Sequence, residues 1–151
     1  MMPARFSVDT HILVYSVDRD AGRKHEVAVT LLDVLAEHDC VITLQVLAEF
    51  FHVATRKGHV PPAEAMQIVN DWSVLFPVVA ADGRNLESAM QWVERGVFSF
   101  WDGMLFATVK MAGVTRLLSE DMQPGFELGG VRVMDPFHHD FAGDVLAALR
   151  E

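Results

Sequence analysis

Short apolar runs alternate along this chain with longer stretches of helical period. Arg5 to Asp9 reads as a strand that ends at an acid, and Thr10 to Val17 as a short helix. From Lys24 to His38, Val27, Leu31, Val34 and Leu35 recur at helical spacing. Cys40 to Thr43 reads as a short buried strand, and Gln45 to Arg56 as a helix that Gly58 ends. Pro61-Pro62 starts the next helix, with Ala65, Ile68, Val69, Trp72 and Phe76 on one face. Pro77 to Ala80 is the third expected strand. Asp82 then caps a helix whose apolar face is Leu86, Ala89, Met90 and Val93. A loop at Gly96 to Ser99 leads into a helix from Trp101 to Ala112, closed by Gly113. Val114 to Leu118 is a strand, Asp121 to Gly130 a polar loop, Val131 to Met134 a last strand, and Asp140 to Leu149 a closing helix.

Apolar strands alternating with helices predict an α/β fold, with a mainly parallel central sheet flanked by helices on both faces. The 151 residues, without repeat or linker, fit one domain over 1–151. Ligands of such sheets bind outside the carboxyl ends of the strands. Asp9 and Asp121 both follow strands, so both are expected at that end.

Four acids stand out against this pattern. Asp9 closes the run Phe6-Ser7-Val8, and Glu49 interrupts the apolar helix Val46-Leu47-Ala48-Glu49-Phe50-Phe51. Asp102 opens a helix and shares a face with Leu105, Phe106 and Val109, a face expected to point inward. Asp121 follows the fourth strand. Each has an ordinary explanation alone: a helix cap, a solvated edge position, a dipole-favoured first-turn acid, a turn residue. Buried carboxylates are costly unless paired, protonated or bound to a cation. Four such acids in one domain therefore point to a shared site for a hard cation. Carboxylate oxygens suit Mg²⁺ or Mn²⁺, and those ions bridge readily to phosphate.

Composition narrows the choice. The apolar fraction of 51% excludes a disordered chain, and no apolar run approaches a membrane span. The N-terminus runs directly into a strand, so no signal peptide is expected. A single Cys40 excludes an internal disulfide; it is expected to be a small buried hydrophobe in a cytoplasmic protein. A net charge of −9 argues against broad electrostatic binding of nucleic acid, but a local cation can still draw in phosphates. Neither a phosphate-binding glycine fingerprint nor a Cys/His zinc set is present. His138-His139 reads as a surface pair.

At the acids the chain resembles the PIN-domain ribonucleases, in particular the VapC-type toxins of VapBC toxin–antitoxin modules. The matching pieces are Ser7-Val8-Asp9-Thr10, Leu47-Ala48-Glu49-Phe50, Phe100-Trp101-Asp102 and Leu118-Ser119-Glu120-Asp121-Met122, in family order. The resemblance implies that Asp9, Glu49, Asp102 and Asp121 are the acidic site positions, with Asp9, Asp102 and Asp121 as metal ligands. Ser119 matches a supporting hydroxyl position, Thr10 a further supporting position, and Glu120 an extra or substitute ligand beside Asp121. His11 stands where the family commonly has Asn. The implied activity is Mg²⁺- or Mn²⁺-dependent endoribonucleolytic hydrolysis of RNA by the toxin of a type II system, held by a cognate antitoxin protein.

Other classes fit less well. A receiver domain needs an acceptor Asp after its middle strand and a Lys after a late one, and neither is well placed. A haloacid-dehalogenase-type phosphatase needs Asp or Thr where His11 stands. A catalytically inactive PIN-like interaction module and a non-toxin RNA-processing nuclease remain open. The mean hydropathy of +0.22 predicts surface apolar residues and a homodimer, with the helices Pro62 to Phe76 and Leu86 to Arg95 as its interface and Trp72 and Trp92 as contact residues.

Overall fold

The computed structural model of the chain describes residues 3–138 and 142–150. His139 and Asp140, expected as half of a surface pair and as a helix start, lie outside them, as does the Met1-Met2 start.

The strands are β1 (Phe6–Val8), β2 (Ile42–Thr43), β3 (Val78–Val79), β4 (Arg116–Leu118), β5 (Glu127–Leu128) and β6 (Val131–Met134). The helices are α1 (Thr10–Val17), α2 (Arg23–Leu35), α3 (Leu44–Arg56), α4 (Pro62–Leu75), α5 (Gly83–Glu94), α6 (Phe100–Met111) and α7 (Ala142–Leu149). One sheet runs β1-β4-β6-β5, and β2 pairs β3 separately. A parallel bridge from Phe6 to Cys40 links β1 to the residues before β2. All pairings are parallel except β5 with β6. This is the expected α/β architecture.

The strands are short because they cross only the buried layer. Phe6, Ser7 and Val8 are all buried, so both faces of β1 are covered, as a parallel sheet requires. Ile12, Leu13, Leu35, Phe50, Phe106, Leu117 and Leu118 fill the space between the sheet and its helices. Burial pushes the Cys40 thiol up to about 12, which makes it the inert apolar side chain expected.

Two expectations need correction, one in the polar loop and one at Trp72. The polar loop contains a strand: Glu127-Leu128 turns back on Val131-Arg132 through Gly129 and Gly130, at φ 58° and 86°. Consecutive positive φ values are what a tight hairpin needs, so the glycine pair was its signal. On α5, Leu86, Met90 and Val93 are exposed, whereas Asn85 and Ala89 are buried. Asn85 completes a capping box with Asp82 and donates to the Ala107 carbonyl at 3.3 Å, which fixes the face that α5 buries. Finally, Trp72 is buried rather than a surface contact, whereas Trp92 is half-buried. Trp72 packs edge-on against Phe50 at 4.7 Å, and Trp92 packs against Phe98 and Phe106.

Gly103 sets how closely α6 approaches α5. A Cβ there would stand 3.4 Å from both Cα and Cβ of Ala89, so the helices touch nearly backbone to backbone. Asp102 is the neighbouring residue, on the helix that this contact docks.

Candidate active site

The register of the sheet begins the site. Val8 pairs with Leu118, so the next residues, Asp9 and Ser119, leave their strands side by side. The Asp9 amide donates to the Leu118 carbonyl at 2.9 Å, and the Ser119 amide to the Met134 carbonyl at 2.9 Å. Asp9 is 7% exposed and Ser119 fully buried. The Ser119 hydroxyl donates to Oδ2 of Asp9 at 2.7 Å, and the Thr10 amide donates to Oδ1 at 2.7 Å. Asp9 is therefore both the N-cap of α1 and a carboxylate aimed out of the carboxyl end of the sheet. Ser119 Oγ also accepts from the amides of Asp121 and Met122, each at 3.3 Å, so one hydroxyl ties Asp9 to the turn that carries Asp121.

Glu49 reaches the same place from α3. Its Oε2 accepts from the Thr10 hydroxyl at 2.8 Å, and its Oε1 from Gln45 Nε2 at 3.0 Å. The same Gln45 nitrogen donates to the Trp101 carbonyl at 3.0 Å, which fastens α3 to the first turn of α6. Asp102 stands in that turn and is half-buried, so the inward-facing residues of α6 are Leu105, Phe106 and Val109 rather than the acid itself. Asp102 lines a cleft of about 260 Å³ with Asp121, Ser99, Gln123 and apolar neighbours.

Asp121 is exposed at the other side of this cleft. Its Oδ2 lies 2.7 Å from Nδ1 of His11. Glu120 points elsewhere. It accepts from the Tyr15 hydroxyl at 2.7 Å and forms an ion pair with Lys24 at 2.7 Å. Burial pushes the Glu120 carboxyl up, but Lys24 and Tyr15 outweigh it and hold the group below the usual range.

Asp9 is shifted the opposite way. Burial raises its carboxyl pKa most, and the negative charge of Asp102 adds to the rise. The hydrogen bonds from Ser119 and Thr10, and the nearby His11, only partly offset it. Among the described residues, no three Asp, Glu, His or Cys side chains close tightly enough around one point to hold an ion as they stand. The arrangement is an open set of carboxylates around a cleft.

Sequence reasoning missed the partners. Gln45 was legible, because it stands four residues before Glu49 on one helix. His11, Tyr15 and Lys24 meet Asp121 and Glu120 only through tertiary folding, and nothing local announces those pairs.

The PIN-domain family model matches residues 7–124. The chain belongs to the PIN-domain family. Solved structures that share this fold include VapC and VapBC proteins. The VapC20 toxin of Mycobacterium tuberculosis, described as cleaving the sarcin-ricin loop, is 22% identical, with a TM-score of 0.60 over 74% of this chain and 86% of that one. DNA-bound VapBC from Salmonella typhimurium is 15% identical, with a TM-score of 0.64 over 87% and 98%. VapBC2 from Rickettsia felis, bound to a promoter DNA fragment, is 11% identical, with a TM-score of 0.62 over 86% and 97%. At these identities the likeness is one of fold. No curated protein matches the chain by sequence. Among the described residues, no helix is long and apolar enough to cross a membrane.

Proposed function

We propose that this PIN domain is a Mg²⁺- or Mn²⁺-dependent endoribonuclease, and that it serves as the toxin of a toxin–antitoxin pair. The observation that supports the reading is Asp9, buried at the carboxyl end of the sheet beside the charge of Asp102 and linked through Thr10 to Glu49 and through Ser119 to the turn that carries Asp121. The donor set fits a hard cation. Mg²⁺ needs only one or two protein carboxylates and keeps several waters, so an open set suffices. A cation beside Asp9 also offsets the cost of ionising a buried carboxylate next to another acid.

Asp9, Asp102 and Asp121 would hold the ion. When bound, it supplies a more acidic water and neutralises charge on the phosphate oxygens. Ser119 keeps the Asp9 carboxylate oriented and favours its ionised form. Thr10 and Gln45 hold both Glu49 oxygens, so the acid is fixed where it can orient water or accept its proton as the phosphodiester is cut. Glu120 is an outer support whose carboxylate is already satisfied by Tyr15 and Lys24. His11 holds one oxygen of Asp121 in place of the usual Asn.

The antitoxin proposal draws on the solved VapBC neighbours and on the net charge of −9, which complements a basic tail laid over the acidic cleft. A homodimer remains the proposed assembly. Its support is exposed Met66, Val74 and Leu75 on α4 and Leu86, Met90 and Val93 on α5. The open spacing of the acids favours a second reading, an inactive PIN module that binds a partner.

One experiment separates the two readings. The purified protein is incubated with total RNA and Mn²⁺ or Mg²⁺, with and without EDTA, beside Asp9→Asn, Asp102→Asn and the exposed control Asp33→Asn. Loss of one strong electrostatic contact commonly costs about 10²-fold in rate, so each site variant is expected to fall by that much or more while the control does not. Equal cleavage by all four proteins refutes the metal-nuclease reading, and absence of cleavage by wild type with either ion favours the module.

A further inference from the structure

Trp101 is the only exposed Phe, Trp or Tyr residue among the described residues, at 63%. Trp72 and Trp92 are absorbed into aromatic packing, so the fold has no need of an indole in water. The residue is nevertheless held firmly. Its carbonyl is tied by Gln45 to Glu49, and the Phe100 ring braces it at 4.8 Å in a T-shaped arrangement. It immediately precedes Asp102 in the first turn of α6. An exposed aromatic side chain thus stands on the helix turn that carries Asp102, and its backbone is held in the hydrogen-bond frame that positions Glu49.

The cleft itself offers phosphate no cation. Its lining, with Ser99, Asp102, Asp121 and Gln123 as the polar members, contains no Lys or Arg, and Lys24 is engaged by Glu120. With a chain charge of −9, neutralising the RNA backbone with side-chain cations is a poor source of affinity. Stacking of bases on an aromatic ring needs no charge and accepts any base, but only a base that is free of its own duplex. Resting on the nuclease reading above, we infer that Trp101 is a stacking platform for an unpaired base next to the cleaved bond. An exposed Trp can also anchor a protein partner. Its attachment to the acid cluster favours RNA.

The test measures binding and cleavage separately. Anisotropy of a labelled short single-stranded RNA, and of a duplex of the same sequence, is followed in Ca²⁺ for wild type, Trp101→Phe and Trp101→Ala. Cleavage is followed in Mn²⁺. Loss of one stacked base commonly costs about tenfold in affinity, so Trp101→Ala is expected to raise Kd by that order with an unchanged melting temperature. Trp101→Phe is expected to keep most of the binding, and the duplex to bind weakly to all three proteins. Wild-type binding and cleavage by Trp101→Ala overturns the platform while leaving the nuclease reading intact. Unchanged RNA binding with a lost dimer or a lost antitoxin complex makes the indole a protein contact and also overturns it. If wild type neither cleaves nor binds RNA with any of these ions, the nuclease reading fails and the platform with it.

Discussion

Ser119→Ala removes one oxygen and disturbs three hydrogen bonds. The bond to Asp9, at 2.7 Å and fully buried, reaches a carboxylate; hydrogen bonds to charged groups contribute about 1.5–3 kcal/mol. The amides of Asp121 and Met122 lose an acceptor at 3.3 Å each. The first can turn to water because Asp121 is exposed, whereas Met122 is buried and its amide has no such outlet. The sum is about 2–3 kcal/mol of lost stability, or roughly 5–10 °C of melting temperature for a domain of this size. The same bond lowers the Asp9 pKa, so its loss lets burial and Asp102 push the carboxyl further up. The acid limb of the cleavage rate against pH must then move to higher pH. Thermal melts of the metal-free protein and a pH series of initial rates on one RNA measure the two effects. They should appear together, and Ser119→Ala should cost less in an Asp9→Asn background, where the charge is already gone. A melting temperature within about 1 °C of wild type, with an unmoved acid limb, would refute the reasoning.

Three further expectations follow from the geometry. Mn²⁺ should raise the melting temperature of wild type by mass action on the folded state and do so much less for Asp102→Asn; equal shifts would separate Asp102 from the cation site. The raised pKa of Asp9 means that its contribution to stability is complete below its unfolded value and is lost as pH rises through the folded one. The metal-free wild type should therefore lose stability relative to Asp9→Asn as pH is raised from about 4 to neutrality, read by denaturant midpoints; a constant difference would deny the burial penalty. Asn85→Ala breaks the α5 capping box and the bond to the Ala107 carbonyl, and should cost about 1–3 kcal/mol in chemical denaturation; a loss under about 0.5 kcal/mol would show that α5 docks without it.

The acids were legible because a carboxylate in an apolar run is improbable unless something holds it, and the strand-then-acid pattern fixed the end of the sheet where Asp9 would emerge. The helices were legible for a similar reason, as Val27 to Leu35 and Ala65 to Trp72 keep helical period. What failed had a tertiary cause. Nothing in the apolar period of α5 announced that its docking would rest on Asn85 and on the missing side chain of Gly103. The indole of Trp72 was assigned to a contact surface from residue type alone, although Phe50 of α3 packs against it. Glu120 and Asp121 are adjacent in sequence, and only the fold sends one to Lys24 and the other to His11.

The double duty of Asp9 bears on how this domain could drift. The carboxylate starts α1 as well as facing the cleft, so the position has a folding requirement independent of any reaction. Asn, Ser and Thr also serve as helix caps, whereas Ala there would cost about 1 kcal/mol. A descendant that abandoned chemistry would therefore still be selected for a short polar side chain at position 9. A polar residue retained there in a distant relative is evidence for the helix, and only the negative charge is evidence for the reaction.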